Sequence, residues 1–297
     1  MESTKRLLDF LENISHEEWN EKPVLHSIDN GWTEEIFSPE AIKYLFTEAR
    51  IPEPCFRVIK KGNFEPHRPY SRPIIVGEVV ASHILDGTKA TLALNEGDSI
   101  IISAVEEFWK PIRLLCNELT KKLGTKCSAF TVITPPGESG FLPHIDRTEQ
   151  LVIQCQGKKY WKVFDVHKRG KKGLEVDINK IGDPILELEL TKGDVLYLPQ
   201  GAPHVAYTTD TLSYHITLTF EPITIGTWIK SALEELLEKD EEFVKALNPF
   251  WFKNQELHLK HTKEKSEEIS KDLTAKAIEI ALNKLNSYHK DKLQNNL

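Results

Sequence analysis

The sequence has few cysteines and no excess of basic residues. Its four cysteines, Cys55, Cys116, Cys127 and Cys155, include no Cys-x-x-Cys pair, so neither a disulfide framework nor a cysteine zinc site is predicted. Lys and Arg total 38 against 45 Asp and Glu, which gives a formal net charge of −7. Because nucleic-acid binding relies on a positive surface that neutralises phosphates, this balance argues against a nucleic-acid partner.

Long apolar segments are also missing. No run approaches the roughly 18 apolar residues of a membrane-spanning helix, and the opening MESTKRLLDF lacks the apolar stretch of a signal peptide. From these absences we expect a soluble, cytoplasmic protein without a membrane partner. The content of 40% hydrophobic and 28% charged residues is typical of a globular chain with a sizeable core.

Two helices are predicted in the first part of the chain. Ser38 followed by Pro39 is typical of an N-cap and a first helical position, and an apolar face follows up to residue 46. Ser103 begins a capping-box pattern, and Gly124 is a stop signal after apolar positions at helical spacing. Pro111 is expected to kink this second helix or to mark its true beginning.

From about residue 127 the apolar period changes to two. The segments that alternate or are rich in β-formers are 151–156, 160–164, 185–190, 195–198 and 214–220. A tight turn at Gly157-Lys158 is expected to join the first two. Short strands with no helix between them predict an antiparallel barrel or jelly roll, so the fold class is mainly β with helical additions.

After Pro222 the pattern is helical. Apolar stripes at helical spacing cover Ile229 to Leu237 and Leu273 to Leu285. We therefore predict a core domain at 1–222 and a helical tail at 223–297.

A pair of potential metal ligands lies in an extended segment. His144 and Asp146 are two residues apart, so in a strand both side chains point to the same side, and His204 follows a turn later in the β region. Two imidazoles and one carboxylate form the facial triad of non-haem Fe(II) oxygenases. From spacing alone, a hydrogen-bonded structural histidine is an open alternative. His289-Lys290-Asp291 repeats the spacing in the polar tail, where we interpret it as a solvated surface.

Three ordered blocks of sequence surround these residues. They are TPPGESGFLPHID at 134–146, QCQGKKYW at 154–161 and GDVLYLPQGAPH at 193–204. They resemble the JmjC/cupin-like 2-oxoglutarate oxygenases, especially the ribosomal-oxygenase and asparaginyl-hydroxylase branch. The stretch WNEKPVL at 19–25 is similar to the family's opening. The resemblance covers most of residues 10–222 and thins out in the tail. It implies a double-stranded β-helix core, which the predicted N-terminal helices and C-terminal helical tail would flank.

The resemblance also implies roles for individual residues. His144, Asp146 and His204 would be the iron ligands, with 2-oxoglutarate and O₂ as cosubstrates. Lys159 would hold the distal carboxylate of 2-oxoglutarate, because a dianion inside an apolar barrel needs a fixed cation; the alternative is a lysine on a solvated hairpin. Thr219 falls where the family often has a small hydroxyl near the same carboxylate, and an ordinary strand threonine is the alternative.

Some positions depart from the family or stay open. Phe130 and Val132 stand where ribosomal oxygenases tend to have Asn and Tyr, so the cosubstrate contacts differ or the substrate is another one. His215 is interpreted as a satisfied core histidine, with pocket lining as the alternative. His67 is interpreted as a surface-loop residue, with contact to the substrate as the alternative. The basic run at 168–172 is interpreted as a solvated turn.

The expected function is an Fe(II)- and 2-oxoglutarate-dependent oxygenase that hydroxylates an amino-acid side chain of a protein or peptide. No catalytic side chain beyond the metal site is needed. The alternatives are a hydroxylase of a free amino acid or other small metabolite, and a non-catalytic metal-binding cupin module. Since exposed apolar stripes must be covered and the resembling family dimerises, the tail is expected to mediate homodimerisation or docking.

Overall fold

The computed structural model describes residues 2–15, 17–28, 31–167, 169, 174–239, 241–246 and 255–294. Contacts divide the chain into two units, Met1–Pro222 and Ile223–Leu297. No helix in the described ranges is both long and apolar enough to cross a membrane. The basic run at 168–172 falls outside the described residues except for Arg169, so its interpretation as a solvated turn stays a prediction.

The first unit is built around β-strands. They are β1 (Val24–Ser27), β2 (Phe56–Lys60), β3 (Asn63–Phe64), β4 (Ser71–Val76), β5 (Val79–Leu85), β6 (Ser99–Ser103), β7 (Cys127–Thr134), β8 (His144–Ile145), β9 (Glu149–Gln156), β10 (Lys158–Val163), β11 (Leu174–Glu175), β12 (Leu186–Thr191), β13 (Asp194–Leu198), β14 (Pro203–Tyr207) and β15 (Ser213–Phe220). The large sheet has the order β1-β13-β9-β15-β7-β6-β2-β3 and the small sheet β11-β8-β14-β10-β12. Strands β4 and β5 form a separate hairpin.

The two main sheets face each other across a common core. Val152 and Leu196 of the large sheet pack against Trp161 and Leu190 of the small one. Full burial of such side chains stabilises the fold by about 1.5–3 kcal/mol each. Two antiparallel sheets packed in this way form a jelly roll, and the predicted fold class is confirmed.

Helices cover the outer face of the large sheet. In the first unit they are α1 (Glu2–Asn13), α2 (Trp32–Ile36), α3 (Pro39–Thr47), α4 (Gly87–Asn95), α5 (Val105–Phe108) and α6 (Lys110–Leu123), with 3₁₀ turns at Glu53–Cys55, Arg68–Tyr70 and Ile178–Lys180. Leu151 and Ile153 point away from the jelly-roll core and join one cluster with Leu115 and Leu119 of α6. Strand β9 is therefore buried on both faces, since one face meets the small sheet and the other meets helices.

The predicted helix boundaries hold with one correction. Ser38 is the N-cap of α3, Pro111 stands in the first turn of α6 and so marks its true beginning, and Gly124 ends that helix with φ +66°. The capping box at Ser103 is wrong, because Ser103 is the last residue of β6 and pairs with Phe130 of β7.

The turn at Gly157 is not a hairpin turn. It joins β9 of the large sheet to β10 of the small sheet, so the two strands are not paired with each other. Gly157 has φ +66°, and a Cβ atom there would clash with the backbone carbonyl of Leu212, so only glycine fits. This crossing between sheets turns the next strand's alternate side chains into the jelly-roll core.

The second unit contains α7 (Ile225–Lys239), α8 (Glu241–Val244) and α9 (Gln255–Gln294). Lys276 of α9 lies 2.6 Å from Glu235 of α7 and 2.9 Å from Glu279, counted between side-chain nitrogen and oxygen. On the two predicted stripes, Ile229 and Ile278 are exposed. The side chains of Leu282 and Leu285 lie outside the described residues, and the tail's role stays a prediction.

Candidate metal centre and its pocket

Strand pairing brings the predicted metal ligands together. His144 is on β8, and its direct partner on β14 is His204. Asp146 follows β8, and its Oδ2 atom lies 3.4 Å from Nε2 of His144 and 3.5 Å from Nε2 of His204. One donor atom from each residue falls within a 4.8 Å cluster. The register of two strands far apart in sequence therefore completes the set that the His-x-Asp spacing began.

Each imidazole is oriented by a backbone carbonyl. Nδ1 of His144 lies 2.8 Å from the oxygen of Leu142, and Nδ1 of His204 lies 3.1 Å from the oxygen of Ala202. Because a carbonyl only accepts, Nδ1 carries the proton in both contacts. The lone pair of each ring is then on Nε2, directed at the centre of the cluster.

Electrostatics favour a cation among these three groups. Burial, with a further effect of the neighbouring His144, lowers the pKa of His204 to about 4. Burial alone would raise the pKa of Asp146, but its contacts with His144 and His204 outweigh this effect and hold the pKa at about 2. At neutral pH the site thus offers a neutral His204 imidazole and a charged carboxylate, a donor set suited to a divalent transition metal.

The cluster stands at one end of a pocket inside the jelly roll. The pocket has a cavity volume of about 30 Å³, and its apolar walls include Phe130, Val132, Phe141 and Trp161. Two of these, Phe130 and Val132, are the positions where the sequence departs from the resembling family. They present apolar surface to the pocket, where an Asn and a Tyr would present polar groups.

Lys159 lines the same pocket and is buried. Its side chain extends inward from β10, and only 2% of the residue's surface is exposed. Nζ of Lys159 donates a hydrogen bond to Oγ1 of Thr134 at 2.8 Å. No ion pair to Lys159 is found in the part of the chain that the structure describes, and burial lowers its pKa to about 7. The neighbouring Lys158 is instead half exposed and 3.1 Å from Glu189. The solvated-hairpin interpretation of Lys159 is therefore wrong.

Two further buried nitrogens of the pocket have no hydrogen-bond partner in the part of the chain that the structure describes. Nδ1 of His215 and Nε1 of Trp161 are buried and make no hydrogen bond to any described residue. Burial, together with the charge of Lys159, lowers the pKa of His215 well below its ordinary value. His215 is thus a pocket residue with an unused nitrogen, and its interpretation as a satisfied core histidine is wrong.

Thr219 does not accompany Lys159. Thr134, the partner of Lys159, pairs with Ser213 on β15, whereas Thr219 pairs with Ser128, six residues further along the strand. Six residues of extended chain span about 20 Å. Thr219 donates to the Ser128 carbonyl at 3.3 Å and lines a different depression. The hydroxyl beside Lys159 is that of Thr134, whose sequence signal was its place at the start of the block at 134–146.

His67 is outside the pocket. Its ring packs edge-on against Phe56 with centroids 5.4 Å apart, and it precedes the 3₁₀ turn at Arg68–Tyr70. The structure therefore gives His67 no contact with the metal centre, as expected of a loop residue.

Comparison with known proteins places a family domain over this region. Residues 107–227 match the family model described as the JmjC domain. Ribosomal oxygenase 1 of Danio rerio is 30% identical over 164 residues, covering 51% of this chain and 30% of that protein. A Drosophila melanogaster protein, bifunctional lysine-specific demethylase and histidyl-hydroxylase NO66, is 34% identical over 131 residues, covering 42% of this chain and 20% of that protein.

Solved structures with a similar fold include a ribosomal oxygenase. YcfD from Escherichia coli, in complex with cobalt and 2-oxoglutarate, has a TM-score of 0.48 and 22% identity, covering 82% of this chain and 58% of that chain. The chain spans less than a third of the length of the two curated relatives named above.

Proposed function

We propose that the protein is an Fe(II)- and 2-oxoglutarate-dependent dioxygenase that hydroxylates an amino-acid side chain of a protein or peptide, on the premise that residues 107–227 match the JmjC domain. The matched range contains His144, Asp146, His204 and Lys159. One observation carries the proposal: a buried lysine that has no ion pair among the described residues lies in the same pocket as a three-residue donor set for a divalent metal.

The donor set fits iron. Two imidazole nitrogens and one carboxylate oxygen occupy one face of a metal and leave three octahedral positions open. When bound, Fe(II) supplies the activation of O₂ that couples decarboxylation of 2-oxoglutarate to hydroxylation. His144, Asp146 and His204 would hold the ion, and the carbonyls of Leu142 and Ala202 keep the two rings turned toward it.

The buried lysine fits a dicarboxylate cosubstrate. An isolated charge in an apolar interior is costly, so Lys159 needs an anion to keep its proton. A carboxylate placed there would accept from Nζ of Lys159 and from the hydroxyl of Thr134, whose own hydrogen is then free. Nδ1 of His215 and Nε1 of Trp161, which have no partner among the described residues, lie along the same pocket and could form further hydrogen bonds to a polar ligand.

A protein substrate is supported by the surroundings of the metal centre. A second depression of about 510 Å³ shares Phe130, Asp146 and Gln150 with the pocket, so a long side chain could approach Asp146 from outside. One relative is named a histidyl-hydroxylase. We propose a protein or peptide as the substrate. We propose the cytoplasm as the compartment, in keeping with four free cysteines. We propose that the tail mediates dimerisation.

The test is succinate formation from 2-oxoglutarate by the metal-free protein reloaded with Fe(II) and ascorbate. We expect succinate, and candidate peptides that raise its rate should gain the mass of one oxygen atom. Stimulation by free amino acids but not by peptides would favour the small-metabolite alternative. Tight Fe(II) binding with no succinate under any condition would overturn the enzyme and favour a metal-binding cupin module.

A further inference from the structure

Gln150 is a buried polar residue beside the metal centre that is not part of its donor set. It is 3% exposed and lies on β9, between Leu198 of β13 and Thr219 of β15. Its side chain borders both the inner pocket and the outer depression. A buried carboxamide at this junction requires hydrogen-bond partners, because an unsatisfied amide costs free energy.

The partner is the carboxylate of Asp146. Nε2 of Gln150 donates to Oδ2 of Asp146 at 2.5 Å. The same oxygen is the one that lies 3.4 and 3.5 Å from the two imidazole Nε2 atoms. The amide therefore holds the oxygen that faces the centre of the donor cluster, and it restricts rotation of the carboxylate about its Cβ–Cγ bond.

The backbone around Asp146 is held separately. The carbonyl oxygen of Asp146 accepts from the Gly201 amide at 3.1 Å, and that of Arg147 accepts from Nε2 of Gln200 at 2.7 Å. The turn at 200–201 thus anchors the main chain, whereas Gln150 anchors the side chain. Removing the Gln150 amide should free the carboxylate without moving the strand or loop that carries it.

We propose that Gln150 is a positioning residue that directs a single carboxylate oxygen of Asp146 toward a divalent cation. This inference rests on the proposed function, in which Asp146 is a metal ligand. Without the amide donor, the carboxylate can rotate and present both oxygens, which takes up a coordination position that a chelating cosubstrate would use. Gln150 would then set both the affinity and the coordination number of the bound ion.

The experiment measures metal binding rather than turnover. Gln150→Leu and the longer Gln150→Met are titrated with Mn(II), and their Co(II) complexes are examined by visible absorption. We expect the Mn(II) dissociation constant to rise by roughly 10- to 100-fold, as is usual when a hydrogen bond to a metal ligand is removed. The Co(II) bands should change in position and intensity as the coordination changes. Gln150→Met covers the case in which the shorter substitution does not fold.

Gln154→Leu is the matched control. Gln154 is on the same strand, faces the same way and is fully buried, but it donates to Ser213 at 2.7 Å and not to Asp146. Its Mn(II) affinity and Co(II) spectrum should stay close to those of the unmodified protein. Unchanged Mn(II) affinity and spectrum in a folded Gln150 variant would overturn the proposal, as would an equal loss in Gln154→Leu. Failure of the unmodified protein to bind Mn(II) would instead count against the proposed function.

Discussion

The two ends of the pocket are built in different ways. At the metal end, one donor atom from each of three groups lies within 4.8 Å of the others, and backbone carbonyls orient both imidazoles. At the other end, one buried ammonium has only the Thr134 hydroxyl as its hydrogen-bond partner among the described residues. The first end is organised before any ligand binds, whereas the second has a charge that only an anion could balance. A ligand that is both a chelator and a dianion would satisfy both ends.

The largest effect is expected at the metal end. His144→Ala or Asp146→Ala should reduce 2-oxoglutarate turnover to background while the protein stays folded, because two remaining ligands hold iron poorly and the core lies elsewhere. Succinate assays and circular dichroism check this. The control is His289→Ala. His289 has the same His-x-Asp spacing but is in the tail, so its substitution should leave turnover unchanged. Turnover near that of the unmodified protein in either triad variant would remove these residues from the site.

A smaller effect is expected at the lysine end. Lys159→Ala should leave Mn(II) affinity nearly unchanged but raise the KM for 2-oxoglutarate, since truncating one partner of a buried charge pair costs roughly 2–5 kcal/mol. Steady-state kinetics against 2-oxoglutarate measure the change. The control is Lys158→Ala. Lys158 is adjacent in the chain but faces solvent, so its substitution should leave the KM for 2-oxoglutarate unchanged. An unaltered KM in Lys159→Ala would assign the cosubstrate's carboxylate to another cation.

The unpaired charge should also appear in the stability of the ligand-free protein. Because burial lowers the pKa of Lys159 from 10.5 to about 7, the unfolded chain binds more protons than the folded one between these values. This group therefore destabilises most below pH 7, and its cost falls as pH rises. Between pH 7 and 9 the gain is roughly 2 kcal/mol. Urea unfolding of the unmodified protein and of Lys159→Met should differ by this amount in pH dependence; parallel curves would contradict it.

The smallest effect on the pocket is expected from the tail. Replacing Ile278 and Leu282 with Glu should convert a dimer into a monomer in sedimentation analysis, because charges on an apolar stripe oppose its burial between subunits. Mn(II) affinity should not change, since all three candidate ligands lie in the first unit. An unmodified protein that is monomeric at micromolar concentration would refute tail-mediated dimerisation.

The sequence predicted the elements well where the pattern is local. Alternation identified β9, β10, β12, β13 and β15, and the signals at Ser38, Pro111 and Gly124 located two helix starts and one helix end. The capping box failed because Ser103 is used by sheet pairing, a long-range interaction that a local motif does not contain. The tight turn at Gly157 joins β9 and β10 as predicted, but its local pattern did not show that the two strands belong to different sheets, because a tight turn can link two strands of one sheet or carry the chain between sheets.

By itself the sequence determined that His144 and Asp146 share one side of a strand, because side-chain alternation is a property of the extended backbone. Tertiary structure decided which residues join them. The register between β8 and β14 brings His204 to His144, and the crossing at Gly157 turns Lys159 inward beside Thr134. Thr219 is excluded from that end by its own register along β15. Sharing a cavity depends on the alignment of strands distant in sequence, and no local pattern encodes that alignment.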